Sequence, residues 1–311
     1  MITISNELPV VIGVDHGYGN IKTANFCIPT GGTAWDSEPT FKNNLLIYGG
    51  HCYTIGADHK EYTADKIEDE DFYILTLAAV ARELNIRDMS SAQVFLAAGL
   101  PLTWVGEQKE RFKTYLLKNN IADFSFRGKE YHVGFAGAEI FPQGFSAIAS
   151  QLRSFHGANM LCDIGNGTMN ILSIENGRPV PAKCYTEKFG TYQCILQAKE
   201  ELLRKLGKAV DESIIEDVLR HETADVAESV LTVIRSTTRQ YVDGIMRRLR
   251  EHGYDPELMK LYVMGGGSCL VKNFSEYDAD RVTINEDICA TAKGYELLAT
   301  RKLAGKKGGI V

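Results

Sequence analysis

Residues 11–23 read VIGVDHGYGNIKT, and residues 159–171 read NMLCDIGNGTMNI. Placing Asp15 on Asp163 superposes one D-x-G-x-G on another, at an offset of 148 in a chain of 311 residues. In both stretches an apolar run precedes the Asp, and an apolar or alternating run follows the second glycine. That pattern predicts strand, tight turn, strand: a β-hairpin at the head of each half. Three fixed positions in five recur by chance often enough that placement has to carry the argument. Both copies open a half of the chain, so the sequence predicts two related lobes.

Length agrees, because 311 residues exceed what one hydrophobic core organises. With 44% hydrophobic and 24% charged residues, a disordered or fibrous chain is excluded. A net charge of −6 provides no broad basic field for holding DNA by phosphate neutralisation. Direct DNA contact is thereby demoted to whatever a local basic patch allows. The opening MITISNELPVVIGVD has no basic residue and too short an apolar run for a signal peptide. No apolar stretch approaches the roughly 20 residues that cross a bilayer. The seven cysteines are odd in number and never spaced CxxC, so no disulfide framework is expected. His51-Cys52 lacks a second pair of ligands and reads as part of a hairpin. A cytoplasmic protein without a membrane partner is expected.

Outward from the repeat, NNLLIYGGHCYTIG predicts a second hairpin turning at Gly49-Gly50. DFYILTLAAVARELN (71–85) and GEQKERFKTYLLKNN (106–120) have helical spacing, and SAQVFLAAGLP between them reads as a buried strand. Short strands are expected up to Ala138. FPQGFSAIASQLRSF (141–155), with Pro142 in its first turn, predicts a helix leading into the second lobe. Helices are expected over 190–207 and near 225–252, a strand at KLYVM (260–264), and a terminal helix over 287–303 returning to the first lobe. AGKKGGIV reads as a frayed end. The class is α/β with mixed sheets flanked by helices. The first lobe is placed at 1–157 with the returning helix at 286–311, and the second at 158–285.

Glycines without Cβ let backbone N–H groups approach phosphate oxygens. A carboxylate at the end of the strand repels phosphate unless a divalent cation intervenes. Asp15 and Asp163, one per lobe, would hold Mg²⁺ through its waters, as that ion prefers. Lys22, seven residues after Asp15, lies on the return strand within reach of β/γ-phosphates, whereas the second copy has Asn170 there. Taken singly, each motif is what any Asp-Gly turn looks like; the pair together with Lys22 favours a nucleotide. YVMGGGS adds a strand, three glycines and a short helical stretch against which a purine and its ribose can lie. The expectation is a nucleotide cleft between the lobes.

Two phosphate hairpins, a helix joining the lobes, a Gly-rich adenosine segment and a returning C-terminal helix together resemble the actin, Hsp70 and sugar-kinase ATPase superfamily. Within it the chain looks most like the ParM/StbA plasmid-segregation actins, over essentially its full length. YTIGADHKEYTADKIEDEDFYILTLAAVA and AAGLPLTWVGEQKERFKTYL carry that likeness more specifically than the glycines do. The resemblance implies a first phosphate segment at Asp15, Gly17, Tyr18, Gly19, Asn20 and Lys22. It implies a second at Asp163, Gly165, Asn166, Gly167 and Thr168. The adenosine segment falls at Gly265, Gly266, Gly267 and Ser268, and Gly190 matches a nucleotide-side turn.

The resemblance also places Gln143, in FPQGF, where relatives keep the residue that orients attacking water. Some plasmid actins resembling this segment carry Glu there, and eukaryotic actin carries Gln. A Gln amide takes up no proton at neutral pH but holds a water in line, so slow hydrolysis is expected, with helix capping as the ordinary alternative. Tyr18 stands where actin has a small hydroxyl residue, leaving backbone contacts only. His16 reads as a surface turn residue. KIEDEDFY (66–73) reads as a solvated acidic run at a helix start, and RQYVDGIMRRLR as a basic helix face.

The resemblance implies an ATPase, with GTP as the alternative nucleotide, that assembles with copies of itself into filaments on binding ATP and Mg²⁺. ADP-bound subunits would then disassemble. Its cargo would be plasmid DNA, reached indirectly through a DNA-binding adaptor of a partition system. A small-molecule, sugar-type kinase on the same scaffold is the alternative, with Glu139 and Asp123 as the nearest candidate bases. A chaperone-like ATPase module would need a substrate-binding domain, which is not recognisable here.

Overall fold

The first hairpin forms where the repeat places it. In the computed structural model, which describes residues 8–56 and 71–307, β1 (Val10–His16) turns at Gly17–Gly19 and returns as β2 (Asn20–Lys22). β3 (Cys27–Pro29) pairs antiparallel on β2. β4 (Gly32–Trp35), β5 (Leu45–Tyr48) and β6 (His51–Ile55) follow, and β6 pairs with both of the others. Gly49 and Gly50, at φ +60° and +82°, close the β5–β6 hairpin in the left-handed turn that suits strand twist. His51 and Cys52 are its first strand residues, as the sequence predicts.

α1 (Asp71–Ile86) buries most of its side chains, and Asp71 is the acid of its first turn. The remainder of the KIEDEDFY run, 66–70, lies outside the described residues. β7 (Ser91–Leu100), α2 (Val105–Leu116), β8 (Ile121–Phe126) and β9 (Lys129–Pro142) complete a nine-stranded mixed sheet. Its order is β3-β2-β1-β7-β9-β8-β5-β6-β4, with β1, β7 and β9 parallel. The apolar VFLAAGL run of β7 suits a central strand buried on both faces.

One expected helix is replaced. Phe141 and Pro142 end β9, paired with Gly99 and Leu100, and the Gln143 N–H still donates to the Leu100 carbonyl at 2.9 Å. Gly144, at φ +71°, then breaks the chain direction before a single turn, α3 (Phe145–Ile148), and a 3-10 turn at Leu152–Ser154. Pro142 therefore ends a strand, a position that tolerates its missing N–H, rather than opening a helix.

The second unit repeats the first sheet in abbreviated form. β10 (Ala158–Ile164), β11 (Met169–Glu175) and β12 (Arg178–Glu187) form an antiparallel meander. α4 (Thr191–Leu206), α5 (Glu212–His221) and α6 (Glu228–Glu251) precede β13 (Lys260–Met264), which lies parallel to β10. α7 (Ser268–Phe274) and β14 (Val282–Ile284) follow, giving the order β12-β11-β10-β13-β14. The run β12-β11-β10-β13 matches β3-β2-β1-β7 strand for strand in direction. The register agrees too: Asp15 pairs with Lys22, and Asp163 with Asn170. The duplication inferred from five residues is a duplication of sheet topology.

The chain returns to the first unit as α8 (Ala290–Lys307), which packs on β1, β7 and α3. Ala304–Lys307, expected as frayed, are helical. By its contacts the first unit comprises residues 1–100, 104–149 and 289–311, and the second 101–103 and 150–288. Each has its own core, one around Ile12, Leu77 and Phe112, the other around Ile171, Ile234 and Val263. All seven cysteines are free thiols. Among the described residues, no helix is long and apolar enough to cross a membrane.

Candidate functional site

Strand alternation sets which side chains the first turn presents. Asp15 and Lys22 are cross-strand partners, and their carboxylate and ammonium lie 3.3 Å apart. The other carboxylate oxygen accepts from Gln143 Nε2 at 3.1 Å. Three residues thus meet in the first unit, through the end of β1, the end of the return strand and the residue that follows β9. Gln143 caps no helix: the N-cap of α3 is Gly144. A charge-assisted amide contact fixes its orientation.

Gly17 is required by space. A Cβ there would stand 2.6 Å from the Asn20 carbonyl oxygen. The second copy repeats the geometry, with a Cβ on Gly165 standing 3.2 Å from the Thr168 oxygen. Tyr18 is buried, its ring edge-on to Phe72 at 6.2 Å, so its bulk is absorbed by the core. Gly19 is buried beside it, while Gly17 and Asn20 are half-exposed. His16 corrects the surface-turn expectation. It is fully buried on the opposite face of β1 from Asp15, with Nε2 2.8 Å from Thr76 Oγ1 and Phe112 edge-on to its ring.

In the second unit three glycine segments converge on one turn. The Gly165 N–H donates to the Thr168 carbonyl, closing the turn at 2.8 Å. Thr191 and Tyr192, opening α4, donate their N–H groups to the carbonyls of Gly165 and Asn166 at 3.0 and 2.9 Å. The Thr191 hydroxyl donates to Asn166 Oδ1. Gly190 lies so close that a Cβ would meet the Asn166 oxygen at 2.2 Å. From β13, Gly265 at φ +86° leaves no room for a Cβ beside Asp163 Oδ1, at 2.4 Å, and the Gly267 N–H donates to the Ile164 carbonyl. Gly266, by contrast, faces open space, and Ser268 is buried at the start of α7. Gly190 is demanded by backbone lying on backbone, Gly265 by the Asp163 carboxylate and the Ile164 carbonyl, and Gly267 by the Ile164 and Thr191 side chains.

Behind this turn stands a support that sequence reasoning missed. The Tyr241 hydroxyl on α6 donates to the Gly190 carbonyl at 2.7 Å. Phe189 stacks on Tyr241 with centroids 4.2 Å apart, and the Arg248 guanidinium lies 3.8 Å over Phe189 while pairing with Glu187 at 2.8 Å. Burial pushes the Tyr241 phenol up, so it stays a neutral donor. Arg248 of the basic RQYVDGIMRRLR stretch is therefore engaged internally. No local signal announces contacts spanning some 50–60 residues.

Mg²⁺ is tested against these donors. Each unit offers one buried carboxylate beside a glycine turn, the oxygen chemistry that Mg²⁺ takes, directly or through water. In the first unit Lys22 already faces that carboxylate; in the second the cross-strand partner of Asp163 is the neutral Asn170. Each carboxylate by itself has the oxygen chemistry that suits the ion; among the described residues no group of three or more His, Cys, Asp or Glu side chains is gathered to hold one. Cys162, next to Asp163, is held a neutral thiol by its burial and by the Asp163 charge.

The candidate bases of a small-molecule kinase are committed elsewhere. Burial alone would raise the Glu139 carboxyl. Its hydrogen bonds and charge pairing with Lys109 and Lys302, each at 2.7 Å, outweigh that and hold it below the ordinary range. Asp123 is largely exposed on β8 and pairs with His132.

Comparison with known families decides the identity. Residues 13–145 match the family of actin-like proteins, N-terminal domain, and residues 161–276 match the archaeal actin homologue MreB-like C-terminal family. This chain is an actin-like protein. Among solved structures, a ParM filament from Clostridium botulinum superposes with a TM-score of 0.75 at 16% identity, covering 95% of this chain and 100% of that one. Ta0583, an archaeal actin homologue, gives 0.73 at 19% identity, covering 94% and 99%. ParM of Bacillus thuringiensis, solved with ATP, gives 0.68 at 14% identity, covering 96% and 100%. A search of curated proteins returns no match. The actin-like protein has the two-lobed fold with mixed sheets flanked by helices that its repeat predicts.

Proposed function

We propose that this actin-like protein is an ATPase that assembles into filaments when it binds Mg-ATP, GTP being the alternative nucleotide, and that hydrolysis loosens the filament. The observation that carries this reading is the duplicated turn, with an aspartate at the same register position in each copy and Lys22 and Gln143 gathered on the first. Both turns contribute to nucleotide binding through backbone N–H groups, Gly265–Ser268 provides the adenosine side, and Gly190 forms a nucleotide-side turn. Lys22 supplies positive charge for the terminal phosphates. Gln143, oriented by Asp15, holds the attacking water, and its amide makes positioning rather than proton abstraction its contribution. Asp15 and Asp163 would hold Mg²⁺, which neutralises charge on the phosphates when bound.

Filament growth and cargo rest on the likeness to ParM. Copies of the chain assemble head to tail, an open heterologous arrangement that gives filaments rather than closed rings. The acidic net charge favours a DNA-binding adaptor over direct contact with plasmid DNA. The pairing of Glu139 with two lysines and of Asp123 with His132 weighs against the small-molecule kinase.

Light scattering and negative-stain microscopy test the proposal. Mg-ATP is expected to raise scattering in a concentration-dependent way and to give filaments. ADP release that requires an added sugar, with no rise in scattering, would overturn it in favour of the kinase.

A further inference from the structure

The far face of the first hairpin holds polar residues where its duplicate holds apolar ones. Asp15 and Lys22 point one way; their neighbours His16 and Thr23 are buried on the other side, against α1. There His16 meets Thr76, and the Thr23 hydroxyl donates to Glu83, two helical turns further along the same helix. Glu83 also accepts from the Asn25 backbone N–H at 3.1 Å and from Asn25 Nδ2 at 2.8 Å. It pairs with Arg87, which reaches Glu296 of α8, and Glu296 accepts the Gly13 N–H of β1 at 3.2 Å. At the corresponding positions of the second hairpin stand Ile164 and Ile171, both fully buried. A purely structural hairpin would be served by the isoleucines. Burying a carboxylate and ordering four donors around it is costly unless every donor is satisfied, and here each has its partner.

We propose that Glu83 is a positioning residue for the first phosphate turn: by fixing Thr23 and Asn25 it holds the return strand in the register that keeps Lys22 opposite Asp15. The lever is short, because Thr23 directly follows Lys22 and its N–H closes the next turn on the Phe26 carbonyl at 3.0 Å. Only Lys22 among the residues of this turn has a long flexible stem, so its ammonium depends most on where the strand ends. Consequences for catalysis rest on the ATPase reading above; the placement of Lys22 does not.

The test uses the nucleotide-free full chain, so the two can fail separately. Thr23→Val removes the hydroxyl at nearly constant shape, and Thr23→Ser restores it. Lys22 modification by an amine-reactive reagent is followed by mass spectrometry, with exposed Lys42 as the internal reference, alongside melting temperature. Thr23→Val is expected to raise Lys22 labelling about tenfold relative to Lys42, an ion pair released from a partly buried position, while Thr23→Ser returns it to the parent rate. Glu83→Gln, which presents an amide donor to a ring of donors, should act in the same direction. Unchanged Lys22 labelling in a folded Thr23→Val protein overturns the proposal, as does labelling that rises equally at Lys42. If labelling responds as expected but the parent releases no phosphate from Mg-ATP, the positioning role stands and the ATPase reading falls. Where both hold, Thr23→Val should lower kcat with little change in ADP affinity, a split that mere destabilisation would not give.

Discussion

The two glycine hairpins share a fold but not a means of support. The first is fastened by side chains: Lys22 and Gln143 on the Asp15 carboxylate, and the Thr76 and Glu83 contacts behind it. The second is fastened by backbone, with Gly190, Gly265 and Gly267 pressed against residues 163–166 and Tyr241 holding Gly190 from behind. Electrostatics secures one copy and close approach the other. Substitutions in the groups that back them should therefore injure them by different mechanisms, loss of charge or hydrogen bonds behind the first and added volume behind the second, whereas Gly17 and Gly165 within the turns are both limited by space.

The largest expected effect separates the aspartates from ordinary turn residues. Asp163→Ala should lower phosphate release from Mg-ATP by at least about a hundredfold, the scale of losing a principal electrostatic group; undiminished release would remove the second turn from the site. Next comes volume. Gly190→Ala forces a Cβ to within 2.2 Å of a backbone oxygen, and should cost about 2–3 kcal/mol of stability in denaturant unfolding. Gly165→Ala, with 3.2 Å available, should cost clearly less. Equal losses would contradict the claim that backbone proximity secures the second turn. Gln143→Ala should slow hydrolysis about tenfold with smaller change in nucleotide affinity, giving longer-lived filaments; equal filament lifetimes in variant and parent would argue against water positioning.

The smallest effect distinguishes the polar clamp from its apolar counterpart. Burial alone would raise the Glu83 carboxyl, but hydrogen bonds from Thr23, Asn25 and Arg87 and the Arg87 charge hold it below its ordinary value of 4.5. Its contribution is thus complete above pH 4.5 and is lost as pH falls through the lowered folded value. Glu296, raised chiefly by burial, acts with the opposite sign: its contribution is present below 4.5 and is lost as pH rises through its folded value. Amide protection over residues 21–28, corrected for intrinsic exchange, should fall at acid pH by about 1 kcal/mol relative to Glu83→Gln. The second hairpin, backed by Ile164 and Ile171, should show no such difference between parent and variant. A matching loss in both hairpins would dissolve the contrast.

Much of this architecture is legible in the sequence because glycine turns and amphipathic runs are local. α4 lies between Gly190 and a left-handed Gly207, and β13 is KLYVM residue for residue. The Asp15–Asp163 repeat carries through to strand order and register. The segment after β9 departs from the helix that its sequence predicts because Pro142 suits a helix start as well as a strand end, and only the backbone of Gly144 distinguishes them. His16, beside Asp15 and the turn, reads from sequence as a surface residue, although strand alternation turns it toward α1. Glu83 and Tyr241 gave no signal, since their partners lie 50–60 residues away and each reads as one more residue of a helix face. Contacts made by folding rather than by spacing are those a motif does not record.

Isothermal titration calorimetry of the full chain with ATP and Mg²⁺ tests the central claim most directly. Saturable heat at one nucleotide per chain is expected, weakened by Lys22→Asn, which gives the first turn the residue of its duplicate. No heat from ATP or GTP at millimolar concentration, with the ion present, would contradict the account of both turns.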